Sequence, residues 1–380
     1  MKIIPYGRQY IDAQDIKHVS QSLKKKLITT GEYVQKFENQ IEQFLKVKFA
    51  ISCNSGTSAL HLALMAIDLK KNDTIIMPAI NFIAVFNMAR LMNAKIFLAD
   101  VDPSTGQMTP RTLLKCIKDN NLKKIKAIVT MYLGGYPENV VDFYSIKKKF
   151  SCYLIEDACH ALGAKYFHNN KYLFVGSCKH ADISTFSLHP VKTITSGEGG
   201  IVTTNNKKFY NKIKFLKSHG IKKMKDHWLY DVKFIGFNYR LSDINCALAI
   251  SQLKKIKYFI TSREKVYKFY KKNLANEVNF VNYDKKIKPA YHLLLIKLKS
   301  NKNIFIKKML KSKIMAQFHY IPIFKFKNVF FDKFISKNYP GSLDYHKSIV
   351  SIPIYVGLSE KEQLYIVKTI KKIVGSTYEK

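Results

Sequence analysis

The chain has 380 residues, of which 47% are hydrophobic, enough for a large globular domain with a smaller one beside it. No apolar run reaches the roughly 18 residues of a membrane span, and the N-terminus lacks the apolar core and cleavage site of a signal peptide. Lysine and arginine number 64 against 27 acids, a net charge of +37, but they are spread over amphipathic segments without a nucleic-acid motif, so we expect neither nucleic-acid nor membrane binding.

Strands and helices alternate through the first part of the chain. The runs FAISC, DTIIMPAI, AKIFLADVD, KAIVTMYL and CYLIED have strand length, and segments with helical spacing lie between them. Thr109 and Pro110 are typical of the N-cap and first position of one such helix. Strands that are uniformly apolar and alternate with helices predict a parallel sheet covered on both faces.

The pattern changes after about residue 245. The segment INCALAISQLKKIKYFITSREKVYKFYKKNL predicts a long helix or a helix pair, and shorter strand and helix patterns follow. Ser359 and Glu362 form a capping box before a terminal helix. We therefore predict a large α/β domain over residues 1–250 and a smaller α+β domain over residues 251–380.

The six cysteines are scattered, and no two form a C-x-x-C pair. This spacing predicts reduced thiols in a cytoplasm, with neither a disulfide framework nor a metal site.

Polar residues follow several predicted strands, which is where ligands bind in open α/β sheets. NSGTS, residues 54–58, precedes a helix, so its backbone N–H groups can converge on a phosphate; the alternative is an ordinary capped turn. Asp157 follows the strand CYLIE and can hold a protonated nitrogen of a heterocycle, with His160 nearby. The alternative for this pair is a structural cap beside a satisfied histidine.

Lys192 lies in FSLHPVKTITSGEGG, between Ser187 at a strand end and a glycine-rich turn. A partly desolvated lysine has a lowered amine pKa and can form a Schiff base, although most lysines are simply solvated. Farther along, Asn238 and Arg240 precede a helix capped by Ser242 or Asp243, in a loop that can bind anions or serve structure alone.

These groups together match the needs of pyridoxal phosphate (PLP). PLP requires a lysine for its aldehyde, a carboxylate for its pyridine nitrogen, a phosphate cup and a ring-stacking group. Phe82, just after another predicted strand, can stack on the ring or be a core aromatic.

Five segments carry a resemblance to a known family: NSGTSALHLAL, EDACHALGA, FSLHPVKTITSGEGG, GFNYRLSDINCALAISQLKK and VSIPIYVGLSEKEQ. They resemble the DegT/StrS sugar aminotransferases, which are PLP-dependent enzymes of fold type I, over essentially the whole chain. The resemblance implies a large three-layer domain with a mostly parallel seven-stranded sheet and a smaller C-terminal α+β domain. It also implies amino transfer from glutamate to a nucleotide-linked keto sugar, with pyridoxamine phosphate as the intermediate form of the cofactor.

The family's roles carry over position by position. Lys192 matches the Schiff-base lysine that also shuttles the proton, and Asp157 matches the partner of the pyridine nitrogen. His160 matches the residue beside the ring hydroxyl, and Phe82 the stacking aromatic. The phosphate contacts implied are Gly56, Thr57, Ser187 and Asn238. The family takes this asparagine from the partner subunit, which implies a homodimer with shared active sites.

A finer resemblance, in IPYGRQYIDAQDI, KSHGIKK, SQLKK and AQFHYIPIFKF, indicates one branch of the family. That branch aminates C4 of a UDP-linked 4-keto-6-deoxy-N-acetylaltrosamine in pseudaminic acid biosynthesis. It implies substrate contacts at Tyr6, Thr30 and Gly31 and, on a C-terminal strand, at His319 and Tyr320. Domain packing is the alternative reading of these five residues.

Other functions stay open at this point. The substrate can be another UDP-, TDP- or GDP-linked keto sugar, such as UDP-4-keto-6-deoxy-GlcNAc or a 3-keto sugar. A PLP-binding regulatory protein without turnover is the non-enzymatic alternative. Dehydratases related to the family replace the lysine with histidine, and Lys192 argues against that activity.

Overall fold

The computed structural model describes residues 3–226, 228–326 and 338–375. The helices of this part of the chain are α1 (Ala13–Leu23), α2 (Glu32–Leu45), α3 (Gly56–Ala66), α4 (Ala84–Leu91), α5 (Pro110–Asp119), α6 (Val140–Lys149), α7 (Lys207–Leu216), α8 (Asp243–Lys254), α9 (Ile256–Leu274), α10 (Lys302–Lys311), α11 (Pro340–Ser348) and α12 (Glu360–Gly375). Among these described residues, no helix combines the length and apolarity needed to cross a membrane.

The strands of the same part are β1 (Phe49–Cys53), β2 (Thr74–Pro78), β3 (Lys95–Ala99), β4 (Ala127–Met131), β5 (Tyr153–Asp157), β6 (Lys165–His168), β7 (Lys171–Phe174), β8 (Ile183–Ser187), β9 (Gly200–Thr204), β10 (Ile221–Lys223), β11 (Tyr230–Val232), β12 (Asn279–Phe280), β13 (Ile287–Lys288), β14 (Leu294–Lys297) and β15 (Ile349–Ile352).

A seven-stranded sheet with the order β1-β9-β8-β5-β4-β2-β3 forms the centre of the fold. The pairs β2–β3, β2–β4, β4–β5 and β5–β8 are parallel, and only β9 runs against its two neighbours. The carboxyl ends of β1, β2, β4, β5 and β8 therefore lie along one edge, where β9 begins. This arrangement confirms the α/β fold predicted from the sequence.

Helices cover both faces of this sheet. On β2, Ile75 and Met77 pack with residues of α3, α4 and α7, whereas Ile76 between them packs with α5 and α6 on the opposite face. Successive side chains of a strand point to opposite faces, so both faces of a fully apolar strand are buried here. The result is the three-layer arrangement that the apolar strands predicted.

A second sheet, β12-β14-β15, packs against α9, α10 and α12. Ile4 joins this cluster from the N-terminus, and its backbone pairs with Ile314. The segment before α1 thus contributes to the C-terminal cluster. The division at residue 250 stays a prediction.

Most of the predicted helix signals are confirmed. Thr109 caps α5 with Pro110 at its first turn, and Ser359 and Glu362 form the predicted capping box before α12. The strand predicted around His319 and Tyr320 is wrong. In that segment only Gln317 pairs with β15, opposite Ser351, and the chain then leaves the sheet towards the active site.

Asp243 joins the start of α8 to the start of α2. Ser242 caps α8, so the Asp243 carboxylate is free to accept the backbone N–H groups of Gly31 and Tyr33 at 2.7 and 2.8 Å. These N–H groups lie at the N-terminus of α2, where backbone donors have no acceptor within their own helix. A fully buried carboxylate therefore supplies the cap from a distant part of the sequence.

We expect Asp243→Ala to lower the free energy of unfolding by about 1–3 kcal/mol, because two buried N–H groups lose their charged acceptor. Thermal melting measures the effect. Asp119→Ala is the matched control, since Asp119 forms an exposed ion pair with Lys115 that contributes little to stability. Equal melting temperatures for the two variants would contradict this role.

Candidate active site

The carboxyl edge of the central sheet brings most of the predicted cofactor residues together. Asp157 ends β5, Ser187 ends β8, and Gly56 begins the helix that follows β1. Gly200, the first residue of β9, pairs with both Ser187 and Cys53. Because β9 lies between β1 and β8 in the sheet, it brings the ends of these two strands next to each other.

The turn before α3 forms a cradle for an anion. Ser55 caps the helix by accepting the N–H of Ser58 at 3.0 Å, which leaves the first N–H groups of the helix, from Gly56 and Thr57, directed outwards. A Cβ on Gly56 would lie 2.8 Å from the Cβ of Ser187. This contact explains why glycine stands at position 56 and brings the Ser187 side chain against the helix N-terminus.

The glycines that follow Lys192 serve backbone packing. A Cβ on Gly200 would lie 2.1 Å from the carbonyl oxygen of Ser55, and one on Gly199 would meet the hydroxyl of Ser196. The lack of a side chain at Gly200 therefore allows the start of β9 to pack closely against the turn before α3.

Asp157 is a buried carboxyl group at the end of β5. Its side chain is 3% exposed, and its Oδ1 accepts the backbone N–H of Cys159 at 3.2 Å. Burial raises the pKa of Asp157, while the contacts with Cys159 and the charge of Lys192 act in the opposite direction. Such a carboxylate gains most from a nearby protonated group, as predicted for a heterocyclic nitrogen.

Lys192 lies in the loop between β8 and β9 and is half-buried. Burial lowers the pKa of its amine, and the nearby Cys159 and Asp157 only partly offset that effect. A lysine of this kind carries a neutral, nucleophilic amine at a lower pH than a solvated one.

His160 joins the sheet edge to the segment around residue 320. Its Nδ1 accepts the backbone N–H of Gly134 at 3.2 Å, so the ring proton is on Nε2, which lies 3.0 Å from the hydroxyl of Tyr320. His160 therefore donates to Tyr320 and leaves that hydroxyl free to donate in turn. Burial holds the pKa of His160 well below its usual value, with Lys192 and His319 adding to the effect, so the ring is neutral.

Phe82 and three of the predicted substrate residues continue from His160. Phe82 is 52% exposed at the site edge, with its ring centroid 5.8 Å from that of Tyr320. The Tyr6 ring lies 5.6 Å from His319, whose Nδ1 is 2.8 Å from the hydroxyl of Ser351. Tyr6, His319 and Tyr320 thus form one wall that continues from His160.

Thr30 and Gly31 have different neighbours. They lie at the start of α2, where Thr29 pairs with Ser242 and the N–H of Gly31 is bound by Asp243. Their contacts in the described part of the chain are structural, and their role in substrate binding stays a prediction.

Asn238 lies beside Asn54, at the turn before α3. Its side chain is exposed, and its carbonyl oxygen accepts from the Asn54 amide at 3.3 Å. The N–H of Asn54 binds the carbonyl of Tyr239, whose hydroxyl lies 3.0 Å from Nδ1 of His61 on α3. The segment that carries Asn238 is therefore anchored behind the anion cradle of its own chain.

Sequence reasoning missed two residues of the site. Arg263 on α9 donates to the carbonyl oxygens of Val191 and Lys192 at 3.5 and 3.4 Å. The ring of His292 lies 4.2 Å from that of His160. Arg263 could have been found, because a charged residue occupies an apolar position of the helix pattern; nothing in the sequence marks His292.

A desolvated amine, a buried carboxyl group and an anion cradle at one sheet edge define an α/β enzyme site. The chain belongs to the DegT/DnrJ/EryC1/StrS aminotransferase family, whose sequence pattern matches residues 9–371. This confirms the resemblance seen in the sequence and makes the protein an aminotransferase.

Relatives and solved structures agree with this assignment. The chain is 35% identical over 379 residues to the UDP-4-amino-4,6-dideoxy-N-acetyl-beta-L-altrosamine transaminase of Campylobacter jejuni serotype O:23/36, covering 98% of each chain. It superposes on Helicobacter pylori PseC, an aminotransferase of pseudaminic acid biosynthesis, with a TM-score of 0.89 and 29% identity, covering 99% and 100% of the two chains. Spr1654 of Streptococcus pneumoniae, solved in a PLP form, shares the fold at a TM-score of 0.91 and 23% identity, covering 98% and 99%.

We expect Lys192 in the cofactor-free protein to be acetylated by acetic anhydride at a lower pH than solvated lysines, because burial lowers its pKa. Peptide-resolved mass spectrometry over a pH series gives the midpoint. Asp157→Asn should lower that midpoint further, since the Asp157 charge raises the pKa of Lys192. A midpoint that rises in Asp157→Asn would contradict the proximity of the two groups.

Proposed function

We propose that this protein binds PLP and transfers an amino group from glutamate to C4 of a UDP-linked 4-keto-6-deoxy-N-acetylaltrosamine. The observation that carries the proposal is the meeting of the half-buried Lys192 and the buried Asp157 at one sheet edge beside the N-terminus of α3. Glutamate as donor and a cytoplasmic location, where six free thiols are stable, are parts of the same proposal.

The residues present fit PLP group by group. The close approach of Gly56 to Ser187 leaves backbone N–H groups and a hydroxyl for a phosphate. Asp157 is a buried carboxylate for the pyridine nitrogen, and the exposed face of Phe82 can cover a ring. Both polar atoms of the buried Asn81 amide have no protein partner among the described residues, so they can bind a polar group of a ligand.

PLP, when bound, supplies an aldehyde that accepts the amino group and a ring that withdraws electrons from the carbon bearing it. Asp157 keeps a proton on the ring nitrogen, and its burial strengthens that interaction. The Lys192 amine removes a proton from the amino donor and later returns one at C4 of the sugar. Burial lowers the pKa of this amine, which favours its neutral, proton-accepting form.

The neutral ring of His160 orients the side chain of Tyr320 through a hydrogen bond. Because Gly134 fixes the tautomer, His160 donates to Tyr320, and the Tyr320 hydroxyl can donate to a substrate or cofactor oxygen. The wall consists of the half-buried Tyr6 and Tyr320 and the buried His319, whose pKa burial lowers to about 3, so its ring is neutral.

The substrate assignment rests on relatives and on the same wall. The C. jejuni relative is named for UDP-4-amino-4,6-dideoxy-N-acetyl-beta-L-altrosamine, and PseC for the pseudaminic acid pathway. In our proposal Tyr6, His319 and Tyr320 contact the sugar nucleotide, with Thr30 and Gly31 at its far end. The net charge of +37 favours a diphosphate-bearing ligand.

We also propose that two copies form a homodimer in which Asn238 reaches the partner's phosphate site. The hairpin of β10 and β11 and the loop leading to Asn238 expose large apolar side chains, with Val232 at 56%, Tyr230 at 66% and Ile235 at 88%. An exposed apolar group of this size is typical of a protein interface. Asn238 lies on the same segment, which ties the interface to the site.

The experiment is amino transfer to a panel of nucleotide keto sugars. Protein converted by glutamate to the pyridoxamine phosphate form is offered the UDP-altrosamine precursor, its UDP-GlcNAc-derived epimer, TDP- and GDP-linked 4-keto sugars and a 3-keto sugar. We expect aminated sugar and the return of the PLP absorbance with the first substrate, with a preference of at least about tenfold in kcat/KM.

Lys192→Ala and Ser187→Ala separate the steps of this reaction. Lys192→Ala should lose amino transfer by a factor of at least about 1000, because it removes the proton-transferring amine. Ser187→Ala should weaken PLP binding about tenfold while keeping turnover at saturating PLP, since one phosphate hydrogen bond is lost. Binding of PLP without transfer to any sugar would favour the regulatory alternative.

A further inference from the structure

Arg263 is a buried cation in the middle of an apolar helix face. The buried residues of α9 are Ile256, Phe259, Arg263, Val266, Tyr270 and Leu274. Their spacing of three and four residues places Arg263 on the face that packs into the protein, where it is 2% exposed. Burial lowers its pKa to about 10, so the guanidinium stays charged at neutral pH.

Arg263 has no carboxylate partner within the described residues. Its Nη1 donates to the carbonyl oxygens of His292 and Ile354 at 3.3 and 3.2 Å, and its Nη2 donates to those of Val191 and Lys192. A buried charge without a counterion is costly, and the planar fork of a guanidinium is suited to hold several acceptors in fixed positions. Four carbonyl groups from three segments thus converge on one side chain.

The Lys192 end of the loop between β8 and β9 is held by this contact. The N–H of Lys192 binds the carbonyl of His189 within the loop, whereas the far end is held by α8, where the Asn245 amide donates to the carbonyl of Ser196 at 2.6 Å. In the described part of the chain, the carbonyl of Lys192 accepts from Arg263. Arg263 therefore fixes the peptide unit from which the Lys192 side chain extends.

The other terminal nitrogen of the guanidinium, Nη1, contacts the segment that contains His292. The N–H of His292 binds the carbonyl of Gly134, and the His292 ring lies 4.2 Å from that of His160. Arg263 holds His292 through its carbonyl oxygen. One side chain thus sets the spacing between the Lys192 loop and the wall that carries His160.

We propose that Arg263 is a positioning residue for Lys192. Arg263 holds the loop that carries Lys192 at a fixed distance from the segment next to His160. The inference rests on the role proposed for Lys192. Proton transfer needs the amine within hydrogen-bond reach of the reacting carbon, and a shift of about 1 Å can reduce the rate about 100-fold. Arg263 acts on that distance through the backbone and does not itself touch the substrate.

The test compares Arg263→Met and Arg263→Lys with Leu113→Ala. Leu113 is a fully buried residue of α5 in a separate core cluster, so its truncation lowers stability without touching the site. Each protein is examined by thermal melting, by the pH midpoint of Lys192 acetylation without cofactor, and by kcat and KM.

For Arg263→Met we expect the acetylation midpoint of Lys192 to rise, because the amine is no longer held in its desolvated position. We expect kcat to fall about 100-fold while KM for both substrates stays within about twofold. Arg263→Lys keeps the charge but not the planar fork of the guanidinium. Its acetylation midpoint and its kcat should therefore lie between those of Arg263→Met and the wild type. Leu113→Ala should melt earlier yet match the wild type in midpoint and kcat.

An Arg263→Met protein that melts earlier but keeps the wild-type midpoint and kcat would overturn the proposal and leave Arg263 a structural residue. If Arg263→Met does not fold, the same comparison is made with Arg263→Lys, whose unchanged midpoint and kcat would overturn it equally. If the wild type shows no amino transfer, the proposed function fails, but the acetylation midpoints still report whether Arg263 positions Lys192.

Discussion

Lys192 is half-buried and Asp157 is buried at the same edge of the central sheet, and the rest of the site is arranged around the desolvation of these two groups. Burial acts in opposite directions on the two groups: it lowers the pKa of the amine and raises that of the carboxyl group. Their mutual attraction offsets only part of the cost. The pair is therefore prepared for a ligand that reacts with an amine and carries a proton on a ring nitrogen.

The parallel sheet makes this desolvation possible. Its strands end at one edge, so groups from β5 and β8 and the start of α3 meet without long loops. Small residues allow the close approach, because side chains at Gly56 and Gly200 would overlap Ser187 and Ser55. The same packing directs backbone N–H groups of α3 to the position where a phosphate would balance the local charge. Cradle, carboxyl group and lysine are thus parts of one electrostatic arrangement.

Local patterns in the sequence predicted the elements of the fold, since uniformly apolar strands and capping residues such as Thr109 and Ser359 act within a few residues of chain. Lys192 could be selected among many lysines because Asp157, Ser187 and Gly56 completed the needs of one cofactor. Contacts between distant segments could not be predicted: Asp243 caps α2 from about 200 residues away in sequence, and Arg263 binds the Lys192 loop through carbonyl groups that every residue has. The segment at His319 forms only one backbone pair with β15, between Gln317 and Ser351, and is therefore not a strand.

We propose that Lys192, and no other lysine, holds the cofactor. Incubation with PLP, reduction with borohydride and peptide mapping by mass spectrometry identify which amine carries the pyridoxyl group. We expect stoichiometric labelling at Lys192, with other lysines labelled only in trace amounts, and loss of that label in Lys192→Ala. A label spread over surface lysines, or concentrated at another position, would contradict it.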